Sequence, residues 1–265
     1  MQLVPENFHH RKDISWPVGL CMVNFKVIFF NAGGTLIQLR NTTIPILYSK
    51  LLSRILESSI SSEEVYKAFR KADTWAVSRR KPGAMFTDLD QRKYQNVFYG
   101  QLGIFNRKEI NRIERKVADL IEMDFILEKG AKELLGTLKP RYKLGLISNW
   151  DESLTNILKE LGILEYFDSI TISWDIGISK PDIEIFRSAL EDFPDVKPKE
   201  SVYVGDDYLT DIIPAQQMNI FPILFDKGPN GMHGRPFQTE TKCIRIHELL
   251  ELPKILNKHS KSPKH

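Results

Sequence analysis

Four short groups of residues in this 265-residue chain have the types needed to act together on an anion. Asn31-Ala32-Gly33-Gly34-Thr35 follows the apolar run Val27-Ile28-Phe29-Phe30, and Ser148-Asn149 follows Leu144-Gly145-Leu146-Ile147. Lys180 precedes Pro181, and Gly205-Asp206-Asp207 with Asp211 follows Val202-Tyr203-Val204. Together they offer a hydroxyl, amide donors, one cation and clustered carboxylates. Carboxylates suit Mg2+, a hard cation that bridges to phosphate oxygens. A lysine and short polar donors neutralise and orient a transferring phosphoryl group, whose catalysis is mostly positioning and charge stabilisation. Singly, each group has a plainer meaning: Ser148-Asn149 a polar loop, Lys180-Pro181-Asp182 a helix start, Asp206-Asp207 a solvated turn. An acid at position 31 would make the first loop a nucleophile loop; the amide of Asn31 supplies no such charged oxygen.

These groups share a position: each closes or follows a strand-like run. The run at 26–30 is apolar without alternation, as in a strand covered on both faces, and the glycines after it allow a tight turn. From residue 128 onward helix and strand patterns alternate. Helices are expected at 129–138, 152–161, 182–191 and 211–218, and strands at 143–148, 169–173, 202–204 and 221–225. Strands separated by helices run parallel, so the fold class is α/β, a doubly wound, Rossmann-like sheet with ligands at the carboxyl ends of its strands.

Between the first loop and this alternation the pattern is helical for some eighty residues, with helices expected at 46–56, 62–77, 87–102 and 108–123. The second opens with a serine N-cap and early glutamates, and Ile110, Ile113, Val117, Leu120 and Ile121 give the last a packing face. The division is therefore an extension at 1–22, a core at 23–41 plus 125–254, an inserted all-helical cap at 42–124, and a basic disordered tail at 255–265. Translation from Met22, just before the first strand, is an alternative to Met1. Trp75, Arg79, Arg80 and Lys81 are candidates for substrate choice in the cap, against the commoner meaning of such a run as a charged surface helix end.

The composition, 42% hydrophobic and 27% charged, is that of a globular chain. No apolar run is long enough for a membrane span and no secretory signal opens the sequence, which makes the cytoplasm the expected compartment. Cys21 and Cys243 form neither a disulfide framework nor a thiolate metal site. A net charge of +3 does not argue for nucleic acid. Its distribution is uneven: the insert carries 15 Lys+Arg against 11 Asp+Glu, the core 17 against 21. An acidic metal site under a basic, anion-attracting lid would fit this split, as would an ordinary solvated surface.

The order and spacing of the four groups resemble the haloacid dehalogenase-like (HAD) superfamily of phosphohydrolases, from Val23 to about Ile255. In that family the first loop reads Asp-x-Asp-Gly-Thr, or Asp-x-Gly-Gly-Thr in some branches. The resemblance implies a C1-type helical cap and a phosphatase acting on a small phosphorylated metabolite with Mg2+. It puts Asn31 at the nucleophile position and Gly33 at the acid/base position, whose carbonyl would still serve the metal. Ser148 and Asn149 would bind the phosphoryl group, Lys180 would hold nucleophile and phosphate together, and Asp206, Asp207 and Asp211 would serve the metal. Asn31 departs from the pattern, so the expected activity is weak or absent and the expected magnesium affinity reduced. The alternative is a catalytically dead pseudophosphatase that binds a phosphate ligand or a protein. A natural loss, an introduced change and deamidation back to aspartate remain alternatives for position 31.

Overall fold

In the computed structural model, which describes residues 23–79, 87–234 and 243–259, the chain opens with β1 (Val27–Phe30) and β2 (Ile37–Leu39). Four helices follow: α1 (Ile44–Leu56), α2 (Ser62–Arg79), α3 (Asp88–Gln101) and α4 (Arg107–Leu120). The chain then runs through β3 (Phe125–Leu127), α5 (Ala131–Leu138), β4 (Lys143–Ser148), α6 (Leu154–Glu160), β5 (Ser169–Ile172), α7 (Ser173–Ile176) and α8 (Ile183–Glu191). Last come β6 (Ser201–Gly205), a π turn (Tyr208–Ile212), α9 (Ile213–Gln217), β7 (Phe221–Phe225), β8 (Ile244–Ile246) and α10 (Leu252–His259). The extension at 1–22, Arg80, Lys81 and the last six residues of the tail lie outside the described residues.

Six strands form one parallel sheet in the order β5, β4, β1, β6, β7, β8, the doubly wound arrangement expected. Because β1 is central, both its faces are covered, which is why its residues do not alternate in polarity. Its side chains still alternate in direction. Ile28 and Phe30 join a core with Leu144, Leu146, Val202 and Val204, roofed by α5, α6 and α10. Val27 and Phe29 face the opposite core, closed by Ile185, Phe186 and Ala189 of α8 and Ala215 of α9. Each such side chain, fully buried, contributes roughly 1.5–3 kcal/mol of transfer free energy.

The helical insert has its own core, in which Leu52, Val65, Ala72, Phe98, Tyr99, Ile110 and Ile113 meet. Ser61 caps α2, its hydroxyl accepting from Glu64 N at 3.2 Å while Glu64 accepts from Ser61 N at 2.8 Å, so the capping serine stands one place before the helix. The packing face expected of α4 holds for Ile110, Ile113 and Val117, and Ile121 packs against the same core just past the helix, which stops at Leu120, 39% exposed.

The sequence expectation lacks β2, β3, β8 and α10. β2 and β3 pair antiparallel and form the two-stranded stalk through which the chain leaves for the helical insert and returns. β8 extends the sheet, and α10 folds back on it. The tail drawn from 255 therefore begins inside a helix. Leu252 and Leu256, one turn apart, are buried in the first core, and Val23 N donates to the carbonyl of His259 at 3.1 Å. Among the described residues no helix is long and apolar enough to cross a membrane.

Candidate active site

The carboxyl ends of β1, β4 and β6 converge on the side chain of Asn31, which is buried. Its amide nitrogen donates to the carbonyl of Gly33 at 2.7 Å and to Asp206 Oδ1 at 2.8 Å. Its oxygen accepts from Lys180 Nζ at 2.9 Å and from Ser148 Oγ at 3.3 Å. The chemistry of the neighbours fixes this orientation, since an ammonium group only donates and a carbonyl or carboxylate only accepts. Gly34 makes the approach of Asp206 possible: its φ is +80°, and a Cβ there would lie 2.4 Å from Asp206 Oδ2.

Beneath Asn31 lies a second network. All three protons of Lys180 have partners: Asn31 Oδ1, Tyr203 Oη at 2.8 Å and Asp211 Oδ1 at 2.6 Å. Asp211 Oδ2 accepts from the backbone N–H groups of Asp206 and Asp207, both at 3.0 Å, holding the acidic loop against β6. Burial pushes the Asp211 carboxyl above the usual carboxylate range, with Asp206 and Asp207 adding to it and Lys180 opposing. Burial, then Asp211, raises the Tyr203 hydroxyl well above its ordinary value.

This geometry gives several of the expected site residues protein partners. Asn149 is tied to the Lys180 backbone: its Nδ2 donates to the Lys180 carbonyl at 2.9 Å and its Oδ1 accepts from Lys180 N at 2.7 Å, clasping the two loops together. Asp211 has both oxygens filled by protein donors. Asp207 caps the turn after it, accepting from Leu209 N and Thr210 N at 2.8 Å, and turns its other oxygen to Arg70 of α2 at 3.0 Å. The Gly33 carbonyl also has a partner, accepting from the Asn31 amide at 2.7 Å. Gly33 O and Asp206 Oδ1, two oxygens expected to serve the metal, share the same amide nitrogen. Among the described residues no three His, Cys, Asp or Glu side chains gather as metal ligands.

Above Asn31 a cavity of about 550 Å³ separates the sheet edge from the helical insert. Its insert wall is Tyr66, Phe69, Arg70 and Asp73 of α2 with Tyr94 of α3; its sheet-side wall includes Phe125, Trp150, Met232 and His233. Trp75 and Arg79, expected to face this space, are not among its lining residues. The signal missed was the spacing 66, 69, 70, 73, which places four residues on one face of a helix. Tyr94 donates to Asp73 at 2.8 Å, and burial followed by that acid raises its hydroxyl well above the ordinary value.

Comparison with known proteins gives this geometry a family. Residues 55–225 match the sequence model of a family described as haloacid dehalogenase-like hydrolase, a span that holds Ser148, Lys180 and Asp206 and begins downstream of Asn31. The mouse protein called haloacid dehalogenase-like hydrolase domain-containing protein 3 is 37% identical over 115 residues, 41% of this chain and 45% of that one. Escherichia coli pyrimidine 5'-nucleotidase YjjG is 34% identical over 85 residues, 32% of this chain and 38% of that enzyme. The alignments thus span less than half the length of these two relatives. In fold, the chain is similar to the putative HAD-hydrolase YfnB from Bacillus subtilis, whose crystal structure is bound to magnesium. Their TM-score is 0.64 at 18% identity, over 88% of this chain and 99% of that one. Since the family match covers well over half of the sequence, the chain belongs to the haloacid dehalogenase-like hydrolase family.

Proposed function

We propose that the chain carries a phosphatase-type pocket for a small phosphorylated metabolite, with turnover weak or absent because Asn31 stands where a carboxylate would attack phosphorus. One observation carries this reading: Lys180 Nζ and Ser148 Oγ both converge on the side-chain oxygen at the end of β1. A cation and a hydroxyl aimed at that point are what a carboxylate nucleophile needs to be held in line. An amide oxygen bears no charge and forms no acyl phosphate readily, so the arrangement keeps the geometry and loses the attacking group. Loss of one negative charge also weakens the expected affinity for Mg2+. The pyrimidine 5'-nucleotidase of Escherichia coli, a relative, is consistent with a phosphoester ligand.

A role in binding without turnover is the second reading, favoured by the complete hydrogen-bonding of Asn31. The two separate in a phosphate-release assay with p-nitrophenyl phosphate and Mg2+. The chain with Asn31 is expected at background, and Asn31→Asp at least about 10³-fold above it, given the size of nucleophile effects in covalent catalysis. Turnover by the natural chain equal to that of the variant would contradict the lesion. No release in either form would favour the binding role.

A further inference from the structure

The two protons of the Asn31 amide point at the two oxygens that a cation between the first and last loops would need. We infer that this amide nitrogen takes the cation's place, so that the pocket is closed to Mg2+ by a pair of hydrogen bonds and not merely weakened by a missing charge. The inference rests on reading position 31 as the altered nucleophile position.

The contacts are short, 2.7 Å to Gly33 O and 2.8 Å to Asp206 Oδ1, and they set the amide protons between the two acceptors. Asp206 Oδ1 also has Thr35 Oγ1 at 3.4 Å. A cation seated on these oxygens would have to break both bonds and then face the same amide protons. Turning the amide over does not relieve this. It would set the NH2 group against Lys180 Nζ, now 2.9 Å from Oδ1, and donors cannot pair with donors. Asn31 is only 7% exposed, so displaced protons would have little access to water, and buried polar groups left without partners are costly. The amide is thus locked from both ends: its oxygen by Lys180 and Ser148, its nitrogen by Gly33 and Asp206. A neutral donor joins the first loop to the acidic loop, which a divalent cation would otherwise do.

A missing charge and an occupying amide predict different results for Asn31→Ala. Removing the whole side chain supplies no new ligand, but it frees Gly33 O and Asp206. The experiment is thermal unfolding of the full chain as Asn31, Asn31→Ala and Asn31→Asp, with and without Mg2+, and no substrate. The natural chain is expected to show no shift, and Asn31→Asp a rise on the order of 5 °C at about a hundredfold excess over Kd. Asn31→Ala is expected to respond more than the natural chain and less than Asn31→Asp. A natural chain that responds as strongly as Asn31→Asp overturns the inference. So does an Asn31→Ala response no larger than the natural one, which would leave only the missing charge. Should the variants unfold at room temperature, a Mn2+ titration of the natural chain read by electron paramagnetic resonance decides. Mn2+ binding that Asp206→Asn abolishes overturns the inference; its absence supports it. These titrations contain no substrate, so the metal inference and the phosphatase reading can each fail alone.

Discussion

Position 33 shows, at the scale of single residues, how the space beside Asn31 is filled. A Cβ on Gly33 would lie 2.8 Å from the Trp150 ring, so the space an acid there would need is already filled by indole. Adding Gly33→Asp to Asn31→Asp is therefore expected to raise turnover of an alkyl phosphomonoester by less than about 10-fold. Truncating Trp150 to Ala as well should release much more of the roughly 10²–10⁴-fold that general acid catalysis supplies. Steady-state kcat of the three proteins checks this. Below them, Lys180 and Asp211 form a buried ion pair at 2.6 Å. Lys180→Met strands the carboxylate and should cost about 3–5 kcal/mol by urea unfolding, with Lys180→Met/Asp211→Asn losing distinctly less. Asn31, Ser148 and Asp206 were legible from the sequence because each closes or follows a strand, and Lys180 because it precedes Pro181 at a helix start. The contacts of Asn149, Asp207 and Asp211 were not, because their partners lie on other elements: Lys180 backbone for Asn149, Arg70 of α2 for Asp207, Lys180 and Tyr203 of β6 for Asp211. Trp150 was missed because nothing in its neighbourhood shows that it lies over Gly33.

Among the elements, α2 links insert and sheet through Arg70, whose pair with Asp207 at 3.0 Å is mostly buried. Arg70→Ala should loosen that link, with faster amide hydrogen exchange in α2 and in the turn at Tyr208–Ile212 at unchanged exchange in β1; equal exchange in both proteins would deny the link. At the other end of the sheet Asp168 receives Lys139 at 2.8 Å, Lys143 at 3.2 Å and Leu144 N at 2.9 Å. Burial acts to raise its carboxyl, but the Lys139, Leu144 and Lys143 hydrogen bonds outweigh it, and the net position is below the usual range. A depressed carboxylate stabilises the fold above its unfolded value, near 3.9, and that stability is lost as pH falls through the lower folded value. Asp168→Asn should thus cost up to about 1 kcal/mol at neutral pH after allowance for solvent screening, and nothing once Asp168 is protonated in the native fold. Urea unfolding against pH measures it. The elements read best from sequence were β4 and β7, continuous apolar runs bounded by turns. Three-residue strands such as β2, β3 and β8 are too short to display a period, and the lysines of α10 masked its two buried leucines.

Over the whole molecule, a parallel sheet ends in a polar site, a helical insert stands above it on a two-stranded stalk, and the cavity between them is walled by both. The sequence showed the insert as a separate helical block and gave its basic balance. It did not show which helix faces the cavity, because that depends on how the stalk sets the insert on the sheet. In the proposed reading the pocket, the cation of Lys180 and the hydroxyl of Ser148 are present, and Asn31 stands where a carboxylate would attack. Acid-quenched intact mass spectrometry after exposure to a phosphomonoester and Mg2+ tests that claim most directly. The account predicts one phosphoryl group on Asn31→Asp, labile to hydroxylamine and mapping to residue 31, and none on the natural chain. A phosphoryl group on the natural chain at any other residue, or substrate hydrolysis by Asn31→Asp without such an adduct, would contradict it.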